Sequence, residues 1–327
     1  MVLTQAPPGF LWGAATVSDP ASGDPEDLWL LAGAGLNACG LVLSWDRVEP
    51  EPGRFRADAL ARYRTAIGKA LEYGLAPVVT LHDRAAPRWF TDLGGWSAPS
   101  AAGRFARYAR EAAGILDGVR WICTMRAPAN ARRHGDLPER IAEAHHAAAV
   151  SLRERTRAAV GWTVAVRRPG GPRGVPAEPD GLADRWLEHA RGDDFVGVAY
   201  ASGPAHGRPV SRPRSGGADG PGRSETLDAV VRHTAEVTGR PILITDDGVP
   251  TADDALRVTV TSRALRGLLG AVADGADVRG YLHRTAPEHG EGHPGDCGLI
   301  AFDRRTGAPR PRPSLYWLGD VARRGHP

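Results

Sequence analysis

The chain has 327 residues, 42% of them hydrophobic and 24% charged, enough to bury a large core within one barrel-sized domain and without the composition of a disordered chain. Its formal net charge is only +3 and arginine carries almost all of the positive charge, as expected of a GC-rich bacterial genome; the arginines are scattered among acids, which argues against a nucleic-acid partner. Residues 1–8 lack a basic region leading into an apolar stretch, no run of about eighteen apolar residues occurs, and Cys39, Cys123 and Cys297 show no close pairing for a disulfide framework or thiolate zinc site, so a soluble, cytoplasmic protein with no membrane partner is expected.

Short apolar runs alternate with longer segments of helical period, the pattern of repeated βα units around a parallel sheet. Taken in chain order, strands are expected at 11–16, 38–43, 76–81, 119–124, 160–166, 195–200, 242–245 and 278–283. Between them lie amphipathic stretches marked by Leu60, Tyr63 and Ile67, by Phe105, Tyr108 and Ala112, and by Leu227, Val230, Val231 and Thr234. Glycines at Gly35, Gly74 and Gly239 can take the left-handed cap that ends a helix. A last helix is expected over 314–323, and the Pro-, Gly- and Arg-rich stretches 168–181 and 201–222 read as loops. Eight strands with interleaved helices, and no G-x-G-x-x-G after the first strand, predict a closed α/β barrel, one (β/α)8 TIM-barrel domain spanning residues 1–327. Cys39 and Cys123 read as small core residues within strands.

Ordered motifs run from end to end: Gly9-Phe-Leu-Trp-Gly-Ala-Ala-Thr16, Ser44-Trp-Asp-Arg-Val-Glu-Pro50, Pro87-Arg-Trp-Phe90, Val119-Arg-Trp-Ile-Cys-Thr124, Asp194-Phe-Val-Gly-Val198, Pro241-Ile-Leu-Ile-Thr245 and Tyr316-Trp317. On these the chain resembles the family-1 glycoside hydrolases, and the resemblance implies a (β/α)8 fold with its chemistry at the C-terminal ends of the strands.

Retaining glycosidases need a nucleophilic carboxylate and an acid/base carboxylic acid about 5 Å apart. The family acid/base is the glutamate of T-x-N-E-P after strand four; this chain reads Thr124-Met-Arg-Ala-Pro128, with Arg126 in place of the asparagine and Ala127 in place of the acid. The family nucleophile is the glutamate of T-E-N-G after strand seven; this chain reads Thr245-Asp-Asp-Gly248, so Asp246 keeps a carboxylate shortened by one methylene, a retreat of about 1 Å that can cost about a hundredfold in rate. The sugar-gripping positions are also changed. Pro20 stands for the glutamine of Y-Q-x-E-G, Asp83-Arg-Ala-Ala-Pro87 for H-W-D-L-P, Ala199-Tyr200-Ala201 for the asparagine and tyrosines after strand six, Arg284 for the tryptophan after strand eight, and Glu291 falls near the distal E-W pair.

The replacements form a charged set at one end of the barrel, and side chains of this kind can bind an anionic or zwitterionic ligand, run proton transfers, or close on one another as ion pairs. Asp246, Arg126 and Asp83 are the candidate catalytic residues; His82, Arg84, Tyr200, Asp247, His283, Arg284 and Glu291 are the candidate ligand contacts. A His-rich stretch, His283, His289 and His293 with Glu288, Glu291 and Asp296, fits no ligand spacing closely, so neither a metal nor a cofactor is expected. Three functions remain open: a repurposed enzyme acting on a small polar or anionic metabolite, a non-catalytic pseudoglycosidase that binds or scaffolds, and a residual β-glycosidase limited to substrates with good leaving groups. An open pocket around Asp246 favours the first, and Asp and Arg side chains paired across the mouth favour the second.

Overall fold

The computed structural model describes residues 4–15, 26–83, 86–127, 137–166, 181–201, 227–249, 251–284, 298–302, 306 and 308–327. Eight parallel strands close a barrel in sequential order: β1 (Leu11–Ala15), β2 (Ala38–Val42), β3 (Ala76–Thr80), β4 (Trp121–Arg126), β5 (Ala159–Ala165), β6 (Phe195–Ala201), β7 (Ile242–Gly248) and β8 (Val278–Arg284). Closure is made by β8 against β1, with Leu11 opposite Gly280 and Ala15 opposite Arg284. All eight strands stand where the apolar runs predict them. The differences are at the ends: β4 runs on to Arg126 and β7 to Gly248, so two segments expected as loops are strand.

The helices are α1 (Glu26–Ala34), α2 (Trp45–Val48), α3 (Ala57–Glu72), α4 (Arg88–Asp92), α5 (Ala101–Ala113), α6 (Leu137–Arg153), α7 (Leu182–His189), α8 (Leu227–Thr238), α9 (Asp254–Ala273) and α10 (Pro313–Arg324). A small antiparallel pair, β9 (Ile300–Phe302) and β10 (Pro309–Pro311), precedes α10. Each long helix lays an apolar stripe on the barrel, as α5 does with Phe105, Tyr108, Ala109 and Ala112. Strands packed on both faces read as continuous apolar runs, and every residue of β7 is buried. Gly35, Gly74 and Gly239 adopt φ of +103°, +76° and +62°, the left-handed backbone expected of helix ends. None of the described helices is long and apolar enough to cross a membrane. The loops expected at 168–181 and 201–222 fall almost wholly outside the described residues, as do Arg84, Glu291, His289 and His293.

Inward-facing side chains build the barrel in layers. Leu11, Ala38, Val78, Cys123, Phe195, Leu243 and Leu282 plug its lower half. Above them the Thr163 and Thr245 hydroxyls meet at 3.2 Å, and the Thr163 hydroxyl also points to Cys123 Sγ. Outside the strands, buried His145 of α6 ties the layers together: its ring stacks on Trp162 with centroids 4.4 Å apart, Nδ1 meets the Thr124 hydroxyl at 2.7 Å and Nε2 meets Asp193 at 3.1 Å. Burial lowers the His145 pKa, so the neutral ring accepts from Thr124 and donates to Asp193. Glu49, fully buried after α2, spends its carboxylate on the Trp45 indole N–H, the Gly53 N–H and the Arg107 guanidinium, at 2.6–2.8 Å.

Helix α10 lies so close on α1 that a Cβ at Gly319 would sit 1.8 Å from the Ala34 carbonyl oxygen, whereas a Cβ at Gly68 in α3 would meet nothing within 4 Å. Helix propensity alone favours alanine over glycine by about 1 kcal/mol at both positions. Gly68→Ala should therefore raise the unfolding free energy by about 0.5–1 kcal/mol. Gly319→Ala should lower it by about 1–3 kcal/mol, because α10 must move off α1. Urea unfolding of the two variants, read by circular dichroism, checks the pair.

Candidate functional site

Two irregularities in the sheet carry the candidate site. Between Cys123 and Arg126 the pairing of β4 with β5 slips, so three steps along β4 match two along β5. The same slip occurs in β7, between Ile244 and Asp247 against β8 and at Asp246 against β6. An extra residue in one strand reverses the in-out alternation beyond it. Cys123 and Leu243 already face the interior; the slips bring Arg126 and Asp246 inward as well, at the C-terminal mouth. Arg284 needs no slip, since it stands two residues beyond Leu282 of the plug.

At the mouth these side chains pair with one another. Arg284 grips Asp246 with two bonds, Nε to Oδ1 at 2.9 Å and Nη2 to Oδ2 at 2.6 Å. Arg126 adds Nη2 to the same Oδ2 at 2.8 Å, and its Nε lies 2.9 Å from Asp83 Oδ1. Exposure of the side chains falls inward along this chain, from 21% at Asp83 and 25% at Arg126 to 14% at Arg284 and 5% at Asp246. Burial by itself would raise the Asp246 pKa, but the Arg126 and Arg284 charges and hydrogen bonds outweigh it and hold the carboxyl well below the usual range. The Arg126 pKa is raised by Asp246 and Asp83 against the opposing effect of burial. Both Asp246 oxygens accept N–H bonds, and the two guanidiniums favour its ionised form.

The other predicted residues do not join this group. His283 is fully buried, with Nε2 3.5 Å from the Thr261 hydroxyl of α9 and Nδ1 2.8 Å from the Arg284 carbonyl oxygen. Asp247 accepts a 2.8 Å bond from the Tyr281 hydroxyl, and Tyr281 belongs to the core between strands and helices. Tyr200 packs against that same core. The expectation that Asp247, His283 and Tyr200 face the mouth is thus corrected: normal alternation on β6 and β8 turns Tyr200 and His283 to the helix side, and the slip in β7 turns Asp247 there beside them. His82 is buried in an aromatic cluster, with ring centroids 5.4 Å from Trp96 and 6.1 Å from Trp45 and Phe105, and its Nδ1 has no hydrogen-bond partner among the described residues. Arg84 and Glu291 lie outside the described residues.

Missed in the sequence were the small inward residues at the same level: Ala15, Val42, Thr80 and Ala165, all partly exposed, and buried Ala199. Counting alternate residues up each strand from the plug would have found them. Ala127, at the position where the family carries its acid/base, is 2% exposed and donates its N–H to the Thr163 carbonyl.

Two measurements probe this electrostatic design. Arg284→Met leaves Asp246 buried beside a single arginine and should cost about 3–5 kcal/mol of stability, while Arg284→Met with Asp246→Leu recovers part of that loss in a double-mutant cycle. The second concerns pH. Burial lowers the pKa of His82 and of His283 to about 4, below the unfolded value near 6.5. Between these values the unfolded chain binds more protons, so stability is full above about pH 6.5 and falls as pH drops through this window. Asp246, with its depressed pKa, loses its contribution only below the unfolded carboxylate value near 3.9, outside that window. His82→Phe keeps the ring packing and should lose about 2 kcal/mol less stability than wild type between pH 7 and pH 5. Identical pH profiles would show that His82 titrates freely in the folded state.

Comparison with known proteins follows the same lines. The sequence profile of Glycosyl hydrolase family 1 matches residues 22–135. The thermostable beta-glucosidase B of Thermobispora bispora is 26% identical over an alignment of 431 residues that covers 97% of this chain and 90% of the relative. Among solved structures, the beta-glycosidase BGL167 superposes with a TM-score of 0.81 and 29% identity, covering 98% of each chain. The family 1 b-glucosidase from Thermotoga maritima superposes with a TM-score of 0.80 over the whole of both chains, at 20% identity, a likeness of fold. In sequence and in architecture, then, the chain is similar to the family-1 glycoside hydrolases.

Proposed function

We propose that the chain is a pseudoglycosidase, a cytoplasmic one-domain barrel that binds a small polar molecule at its C-terminal mouth without performing double displacement. One observation carries this reading: both oxygens of Asp246, the one carboxylate left in a mechanistic position of the resemblance, are held by Arg126 and Arg284. A carboxylate so engaged is a weak nucleophile and a weak base, because two cations stabilise its charge and three of its roughly four lone-pair sites already accept N–H bonds. The position of the proton donor holds a buried methyl group, that of Ala127. Asp83 stands just beyond β3, but it and Asp246 grip the same guanidinium, whereas a retaining pair needs the glycosidic bond between its two carboxyl groups.

The reading as a repurposed enzyme draws less support. Acid–base work near neutrality wants a group whose pKa lies near the operating pH, and among the described residues His82, after β3, is sealed among aromatic rings and His283, on β8, faces α9. The cytoplasmic setting accords with Cys39 and Cys123, both free and buried.

Aryl glycosides with good leaving groups, incubated with and without azide, test the proposal. Azide can stand in for a missing acid/base step, so the assay gives catalysis its best chance. No release above that of Asp246→Ala is expected from the wild type or from Asp83→Asn. Release that needs Asp246 would overturn the non-catalytic reading.

A further inference from the structure

Helix α6 turns one face to the barrel, where His145 is held by Thr124, Trp162 and Asp193, and the other to solvent, with Glu143, His146 and Val150 exposed. Residues 144–152 include no Asp, Glu, Lys or Arg, so this outer surface is uncharged for more than two turns. Within that stretch Val150 is 56% exposed, more than any other large apolar side chain among the described residues. Beside it a groove of about 440 Å3 runs between α6 and the end of α7, lined by Ala142, Ala147 and Val150 together with Glu143, His146 and His189. The His146 ring is anchored there, its Nε2 3.1 Å from the His189 carbonyl oxygen. A lone exposed valine is ordinary on a protein surface. A valine on the rim of a groove floored by alanines offers a partner a continuous apolar strip.

The charges flanking this strip are arranged about Val150. Glu143 stands seven residues before it and Arg157 seven after. Helical bonding runs on past Arg153, from the Glu154 N–H to the Val150 carbonyl at 3.1 Å and from the Thr156 N–H to the Leu152 carbonyl at 2.8 Å. Seven residues are about two turns, so Glu143 and Arg157 lie near the same face as Val150. Both side chains are exposed, and neither has an ion-pair partner among the described residues. One turn from Val150 on either side stand His146 and Glu154, the latter only 3.9 Å from its nearest cation, Arg110. A two-fold axis through Val150, perpendicular to α6, therefore sets this face against its own copy with complementary groups in register. Glu143 meets the other copy's Arg157, the His146 ring meets the other copy's Glu154, and the two valines meet on the axis. Such self-complementarity is what an isologous interface requires; flanks of equal sign would repel across the same axis.

We propose that this face is the interface of a homodimer, in which α6 of a second copy packs antiparallel on α6 of the first, the uncharged strips cover one another and Glu143 of each copy pairs with Arg157 of the other. The packing of His145 behind the helix holds the face in shape before docking, which lowers the cost of association. The inference does not depend on what the mouth of the barrel binds.

Sedimentation equilibrium of the full chain over about 2–200 µM, a range that brackets micromolar self-association, should show the mass rising from that of one chain toward that of two. Val150→Glu sets two carboxylates together on the axis and should raise the dimer dissociation constant at least about tenfold. Glu143→Arg and Arg157→Glu each set like charges in register and should weaken self-association by about tenfold. Mixed in equal amounts, each of these two variants offers the sign that the other lacks, and the mixture should dimerise to within about threefold of wild type. All three positions are exposed, so the variants should keep wild-type circular dichroism. A wild-type chain that stays monomeric throughout the range would overturn the proposal and leave the groove to a different occupant. A dimer indifferent to Val150→Glu would overturn it as well, and failure of the mixed variants to recover would overturn the antiparallel register.

Discussion

The saturation of Asp246 by two arginines is the constraint on which the mouth of this barrel is organised. A carboxylate at 5% side-chain exposure is costly to bury, and removing either partner leaves that cost uncovered. Arg126 and Arg284 meet it by placing three N–H groups on its two oxygens. The same bonds that make the residue tolerable in the interior draw charge from its oxygens, which is the basis of the proposed loss of nucleophilicity. On the proposed non-catalytic reading, stability of the mouth and loss of double displacement share one electrostatic cause.

That arrangement depends on backbone geometry. A strand of strict alternation cannot send Cys123 and Arg126, three apart, to the same side, nor Leu243 and Asp246. The slips in β4 and β7 do so, and in β7 the same slip sends Asp247 to Tyr281 on the helix side. Irregular pairing at the rim of a barrel commonly re-aims a side chain. Beneath it the wall is held by buried contacts: His145 stacked on Trp162 and bonded to Thr124, and the Thr163–Thr245 contact that joins β5 to β7 within the barrel.

The fold was legible in the sequence because apolar runs and helical periodicity report local chain geometry, and eight such runs leave few closed arrangements. The ion pairs among Asp83, Arg126, Asp246 and Arg284 were legible as a charged set but not as a closed one, since nothing in the order of residues tells whether opposite charges turn to a ligand or to each other. His283 and Tyr200 were misplaced for another reason. Position at a strand end locates a residue along the barrel axis, whereas its facing depends on parity counted from the plug, and slips alter that parity for residues such as Asp247. The small residues Ala15, Val42 and Thr80 drew no attention because short side chains carry no motif and only counting from the plug shows that they turn inward.

The bond from Arg126 to Asp246 joins residues 120 positions apart, on strands that are not neighbours in the sheet. It is a crossbar between the first four strands and the last four. Either half can collect its own local pairs, Asp83 with Arg126 in one and Asp246 with Arg284 in the other, while the crossbar can form only after the cylinder has shut. Contacts of such long sequence separation are entropically the last to be repaid in folding, so this guanidinium acts as a clasp that registers completion of the barrel.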